Sequence, residues 1–157
     1  MLPPSERLLL DTAVLIHLIR GNPIGRWIEA RFALRERPTT PLISIVTQGE
    51  LLAFAKKRGW GGRKIGDMEA LLRELVIVDI ASQGVLRTYA EIDSLLEKAG
   101  HPIGQNDLWI AATAIEARAH LLTMDRDFDP LHPGYLHRTW IDPKDPEGSQ
   151  YQVRSSE

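Results

Sequence analysis

The chain has 157 residues, of which 43% are hydrophobic and 25% charged, with a formal net charge of −2 and no cysteine. That length suits one domain, because two would each have too little core to stand alone, and the balance of residue types excludes a disordered chain. The lack of cysteine excludes disulfides and thiolate zinc sites, so any metal must sit on oxygen or imidazole ligands.

Residues 1–7 lack a basic region followed by an apolar stretch, so no signal peptide is expected there. Leu8–Leu10 reads as a first buried strand, ended by Asp11 and Thr12. The apolar stretch from Leu8 to Ile16 is interrupted by Asp11 and too short for a bilayer; a soluble, cytoplasmic protein with no membrane partner is expected. A short helix follows to Arg20, stopped by Gly21-Asn22-Pro23, and a second is expected over about 24–35. Pro41 precedes a second strand, 42–45, and Thr47 then opens a helix that carries Glu50 and ends near Arg58-Gly59. Another helix begins near Lys64, with Ile65, Met68, Leu72 and Leu75 on one face. Val76–Val78 is the third strand. Val85, Tyr89, Ile92 and Leu96 mark a longer helix closed by Gly100, and residues 101–106 form a loop. Asp107 opens an alanine-rich helix through Arg118, His120–Thr123 is the fourth strand, and 138–141 makes a short edge strand. Short apolar runs alternating with helical stretches are the signature of a parallel α/β domain. Residues 1–141 are therefore expected to form one domain, and 142–157 a polar, Pro-rich, mobile tail.

Four acids stand out by position, although each has a plain structural explanation. Asp11 can cap the helix after the first strand. Thr47-Gln-Gly-Glu50 fits a capping box, Asn106 or Asp107 fits an N-cap, and Asp125 can close a turn. Their joint placement favours a site, because ligands of an open parallel sheet bind beyond the carboxyl ends of its strands. Asp11 follows strand one, Glu50 lies just after strand two, and Asp125 follows strand four. Asp107 starts the helix that leads to strand four. A helix over 83–98 is roughly 24 Å long and carries the chain away from that rim; residues 99–106 reach up to ~28 Å, enough to return. Four converging carboxylates repel at neutral pH and call for a hard divalent cation, Mg²⁺ or Mn²⁺. Such a site suits phosphodiester hydrolysis.

Competing motifs fail on specific residues. Asp125-Arg-Asp127-Phe-Asp129 starts like an EF-hand loop, but Pro130 follows and the twelfth position is Leu136. No phosphate-binding glycine loop and no nucleophile elbow occur. A phosphatase would need a second aspartate after Asp11-Thr-Ala, which is missing. The five histidines show no metal-binding pairing on a helix.

Charge is unevenly spread. Lys56, Lys57, Arg58, Arg63 and Lys64 form a basic segment with no acid among them, leaving 14 basic residues against 21 acidic ones elsewhere. This segment can guide an RNA backbone, with Trp60 stacking on a base; equally, the cations can complement a helix C-terminus closed by Gly59.

Taken together, Leu-Leu-Leu-Asp11-Thr12-Ala, Ser44-Ile-Val-Thr-Gln-Gly-Glu50-Leu, Asn106-Asp107-Leu-Trp-Ile-Ala-Ala and Leu-Leu-Thr123-Met-Asp125-Arg-Asp127-Phe resemble PIN-domain ribonucleases of the VapC type, toxins of bacterial toxin–antitoxin pairs. The likeness spans roughly residues 8 to 141. It implies a three-layer α/β/α sandwich with a central parallel sheet of four to five strands, and Mg²⁺- or Mn²⁺-dependent endoribonuclease activity. By position Asp11, Glu50, Asp107 and Asp125 match the family's catalytic, metal-binding acids, with Asp127 at a further acidic position and Asp125 preferred as the ligand. Thr12 and Thr123 match hydroxyl residues that hold those acids. The likeness also implies an RNA substrate, a cognate antitoxin and a homodimer. The alternative is a non-catalytic RNA- or partner-binding PIN-like module.

Overall fold

A computed structural model describes residues 2–148. Five short strands form one sheet: β1 (Leu8–Leu10), β2 (Leu42–Ser44), β3 (Val76–Val78), β4 (His120–Thr123) and β5 (Arg138–Trp140). Their order is β3-β2-β1-β4-β5, and every adjacent pair is parallel. The chain therefore builds outward from β1 on one side, then returns to build on the other. The place where the order reverses, between β1 and β4, is where an open α/β sheet leaves a crevice.

Alternation along the strands produces the layers. Leu8, Leu10, Ile43 and Leu122 point into one core, shared with α1 (Thr12–Arg20), α2 (Pro23–Phe32), α3 (Ile45–Lys57) and α4 (Gly62–Arg73). Leu9, Leu42 and Leu121 point into the other, shared with α5 (Gln83–Lys98), α6 (Gln105–Glu116) and the 3-10 turn Arg126–Leu131. The result is the expected α/β/α sandwich. Central strands buried on both faces need apolar residues throughout, which explains the unbroken Leu-Leu-Leu of β1.

Helix ends differ from the sequence expectation in informative ways. Helix α3 starts two residues early, at Ile45, because the Ser44 hydroxyl accepts from Val46 N–H at 3.1 Å and caps it. Thr47 is thus inside the helix, and the capping-box reading of Glu50 fails. Helix α6 likewise begins at Gln105, with Gly104 as a cap that offers no side chain. Asp107 sits in its first turn and caps nothing. Helix α2 ends at Phe32, short of Arg35, with Ala33 in the left-handed region at φ 48°. Where the expected tail begins, residues 142–148 make a turn and one 3-10 turn, and Glu147 accepts from Trp27 Nε1 at 2.8 Å. The rest of that expected tail, 149–157, lies outside the described residues. Among the described residues no helix is long and apolar enough to cross a membrane.

Candidate active site

Strand β1 delivers Asp11 to the crevice, and the residue is only 6% exposed. It caps α1 and also bonds across to β4. Its Oδ1 accepts from Thr12 N–H at 2.8 Å, while Oδ2 accepts from the Thr123 hydroxyl at 2.7 Å. Thr123, at the end of neighbouring β4, uses the same oxygen to accept from Asp125 N–H at 2.9 Å. One buried hydroxyl therefore links the acid after β1 to the acid after β4. On the other side, the Thr12 hydroxyl donates to Glu50 Oε1 at 2.9 Å, so Glu50 leans across to α1. Thr12 and Thr123 thus each hold one of these carboxylates by a hydroxyl hydrogen bond.

Helix α6 brings Asp107 into the same group. One carboxylate oxygen each from Asp107, Asp125 and Asp127 lie within 4.8 Å of one another. Asp125 also accepts from Asp127 N–H at 2.8 Å, so its turn-closing role and its place in the cluster hold together. Sequence position preferred Asp125 over Asp127; the fold brings both beside Asp107. The three span a range of exposure, with Asp107 and Asp125 half-buried and Asp127 exposed.

Electrostatics tie all five acids into one unit. Burial, followed by the charges of Asp11, Asp125, Asp127 and Glu50, pushes the Asp107 carboxyl up to about 7. Asp11 is raised by burial against its hydrogen bonds from Thr123 and Thr12, with Glu50 and Asp125 adding to the rise. Asp127 is raised chiefly by Asp125. Among the described residues, none of the five forms a salt bridge with a cationic side chain. The donor set is oxygen only, clustered, and short of positive charge, which fits a hard divalent cation.

An open groove of about 530 Å³ leads away from this cluster, lined by Thr12, Glu50, Asn106, Ala53, Phe54 and Lys57. It runs down α3 toward the basic segment. The Phe54 ring carries two guanidinium groups, Arg58 at 5.2 Å and Arg20 at 5.7 Å from its centroid. Arg20 belongs to this patch yet lies 36 residues before Lys56, so no local run in the sequence could mark it. Trp60 is half-buried: its ring meets Phe54 edge-on at 5.7 Å, Lys64 lies 5.5 Å from its centroid, and its backbone N–H donates to Ala55 O. Packing gives it a structural role. Gly59, at φ 62°, ends the helix as expected.

Comparisons with known proteins give the chain's family and fold. The PIN domain family model matches residues 8–131. Over 115 residues the chain is 32% identical to Ribonuclease VapC1 of Haemophilus influenzae (strain R2866), covering 73% of this chain and 84% of that one. Among solved structures, VapBC2 from Rickettsia felis, bound to a DNA fragment from their promoter, matches with a TM-score of 0.72. There the identity is 27%, over 83% of this chain and 96% of the other. A toxin–antitoxin complex from Klebsiella pneumoniae matches with a TM-score of 0.60 at 28% identity, over 81% and 93%.

Proposed function

The chain belongs to the PIN domain family, and from that premise we propose that it is a metal-dependent endoribonuclease, the toxin of a toxin–antitoxin pair. The observation that carries this reading is the convergence of the Asp107, Asp125 and Asp127 carboxylates to within 4.8 Å, electrostatically coupled to Asp11 and Glu50. A structural role would not gather five acids with no salt bridge to a cation among the described residues, because their repulsion costs stability. The same observation disfavours a non-catalytic module, which has no reason to keep such a cluster.

Asp11, Glu50, Asp107 and Asp125, with Asp127 beside them, are the groups to hold Mg²⁺ or Mn²⁺. When bound, the ion supplies the Lewis acidity and the activated water that phosphodiester hydrolysis needs. The residues do the rest. Thr123 and Thr12 fix the directions of Asp11 and Glu50, so the carboxylates face the crevice before any ligand arrives. The basic patch around Phe54 receives the RNA backbone along α3. Asp107 must lose its proton to ligate a cation, so cation and proton compete and binding weakens as pH falls below its metal-free value of about 7.

Two protein partners are proposed. Likeness to solved toxin–antitoxin complexes supports a cognate antitoxin. A homodimer is supported by the edge strand β3, where Val76 and Ile77 are 46% and 37% exposed despite being large and apolar; a purely monomeric species in sedimentation at high concentration would remove it. The function itself is tested by comparing the protein with Asp107→Asn on transfer RNAs and ribosomal RNA fragments, each with Mg²⁺, Mn²⁺ and EDTA. Discrete cleavage by the parent, lost in the variant and in EDTA, is the expected result. Equal cleavage by both proteins would sink the site assignment.

A further inference from the structure

Asp125 follows β4 and caps the 3-10 turn that carries Asp127, and the Thr123 hydroxyl with buried Phe128 and Leu131 anchors that turn from the core side. Strand β5 adds a restraint from the other side. Its Trp140 Nε1 donates to Met124 O at 3.1 Å, at the start of the segment. Its Arg138 donates to Asp129 Oδ1 from Nη2 at 2.8 Å and from Nε at 3.2 Å, at the far end. Between those two ties lies Arg126, whose Nε donates to Asp129 Oδ2 at 3.0 Å and whose guanidinium lies 4.4 Å from the Trp140 ring centroid. Every one of these interactions runs from β5, or from Asp129, to the segment bearing the two acids.

We propose that the Arg138–Asp129 pair, with Trp140, positions Asp125 and Asp127 for metal binding and holds Arg126 away from them. This rests on the reading of the acidic cluster as a metal site. Stability alone does not explain the pair. Arg138 is 5% exposed, and its Nη1 is buried with no hydrogen-bond partner. A buried guanidinium with an orphaned donor, paired to a partly exposed carboxylate, is a poor stabiliser beside apolar side chains of similar size. Geometry does explain it. A planar guanidinium that donates twice to one carboxylate oxygen constrains direction as well as distance, which an apolar contact would not. Asp129 has a second duty. Arg126 lies between Asp125 and Asp127 in sequence, so its charge, if free, would fall among the site acids and compete with a cation. Bonding to Asp129 and stacking on Trp140 hold it at the rim. Arg138 and Asp129 are positioning residues here, since neither belongs to the cluster itself.

The test uses the full chain, stripped of metal, in three variants: Arg138→Met, Asp129→Asn and Arg138→Lys. Mn²⁺ binding is read by electron paramagnetic resonance, thermal unfolding by circular dichroism, and amide exchange at Asp125 and Asp127 by NMR. Arg138→Met and Asp129→Asn are expected to bind Mn²⁺ roughly 10–100-fold more weakly, the usual range for partners that orient ligands. Exchange at the two amides quickens by more than the fall in the unfolding midpoint accounts for, and Arg138→Lys recovers part of the affinity. Parent-like Mn²⁺ affinity or parent-like exchange in the folded variants would overturn the proposal. Should Arg138→Met fail to fold, Asp129→Asn, which keeps the shape of the side chain, decides alone. Asp107→Asn separates the two readings: it weakens Mn²⁺ binding and leaves exchange at Asp125 and Asp127 unchanged. If the parent itself binds no Mn²⁺, the metal-site reading falls, and the exchange data still decide whether Arg138 holds the segment.

Discussion

Burial and charge act together on Asp107, and that gives it a measurable signature. In an unfolded chain an aspartate ionises near pH 4; in the fold this one is pushed up to about 7, first by burial and then by its acidic neighbours. Between those two values the folded protein holds a proton that the unfolded chain has released. Stability of the metal-free protein must therefore fall as pH rises through that window. Asp11 and Asp127, also raised, act in the same direction. The unfolding midpoint of EDTA-treated protein is expected to be lower at pH 8 than at pH 5.5, and Asp107→Asn to flatten the slope. Comparing the variant with the parent isolates the contribution of Asp107. Saturating Mn²⁺ at pH 8 should restore the midpoint, since it binds only the folded, ionised site. A parent midpoint that climbs steadily from pH 5.5 to 8 would mean that the acids are not packed together as described.

Elements explain what a sequence shows and what it hides. Strands are easy to read because burial on both faces leaves an apolar stamp, as in Leu8–Leu10 and His120–Thr123. So are the acids that closely follow them, Asp11 and Asp125. Helix starts are harder: a capping box at Thr47 competes with Ser44, and tertiary context chooses the serine. Interactions between elements leave no local mark at all. Neither Arg138 nor Arg20 stands in a motif, because each acquires its role from chain far away. Gly25 is another such case. It sits in α2 where that helix crosses α1, and a Cβ there would lie 2.1 Å from His17 O. Because the obstacle is backbone, it cannot swing aside. Gly25→Ala should force the α1–α2 pair apart and cost about 1–3 kcal/mol or more, the usual range for overpacking. Since α1 begins at Thr12, which steers Glu50, the displacement should also weaken metal binding. Denaturant unfolding reads the first effect; an unchanged midpoint would show that the two helices tolerate a wider crossing.

For the whole molecule, the puzzle is how a chain of net charge −2, with five acids at its site, attracts a polyanion. Separation of charge resolves it. Glu50 and Lys57 lie on the same helix seven residues apart, about 10 Å along its axis. Over that distance the groove passes from the acidic cluster to the cations around Phe54. Arg20, Lys57 and Arg58 are exposed, so they can reach phosphates without any burial cost. Ions at physiological strength screen beyond about 8 Å, so a backbone held by this patch feels the site's repulsion only where it enters the cluster, and there a bound cation cancels it. Two consequences follow for the variant Lys57→Glu with Arg58→Glu. RNA affinity should fall, and the slope of log affinity against log salt should shrink by roughly 1 for each phosphate that is no longer neutralised. Mn²⁺ binding should hardly change, because neither side chain belongs to the acidic cluster, while the unfolding midpoint falls modestly with the lost Phe54 contact and the reversed charge at the α3 C-terminus. Filter binding of a catalytically inactive Asp107→Asn background at several salt concentrations measures the slope. An unaltered slope would place the RNA path elsewhere and leave the patch as a complement to the α3 C-terminus, where Lys56 and Lys57 already stand in the last turn.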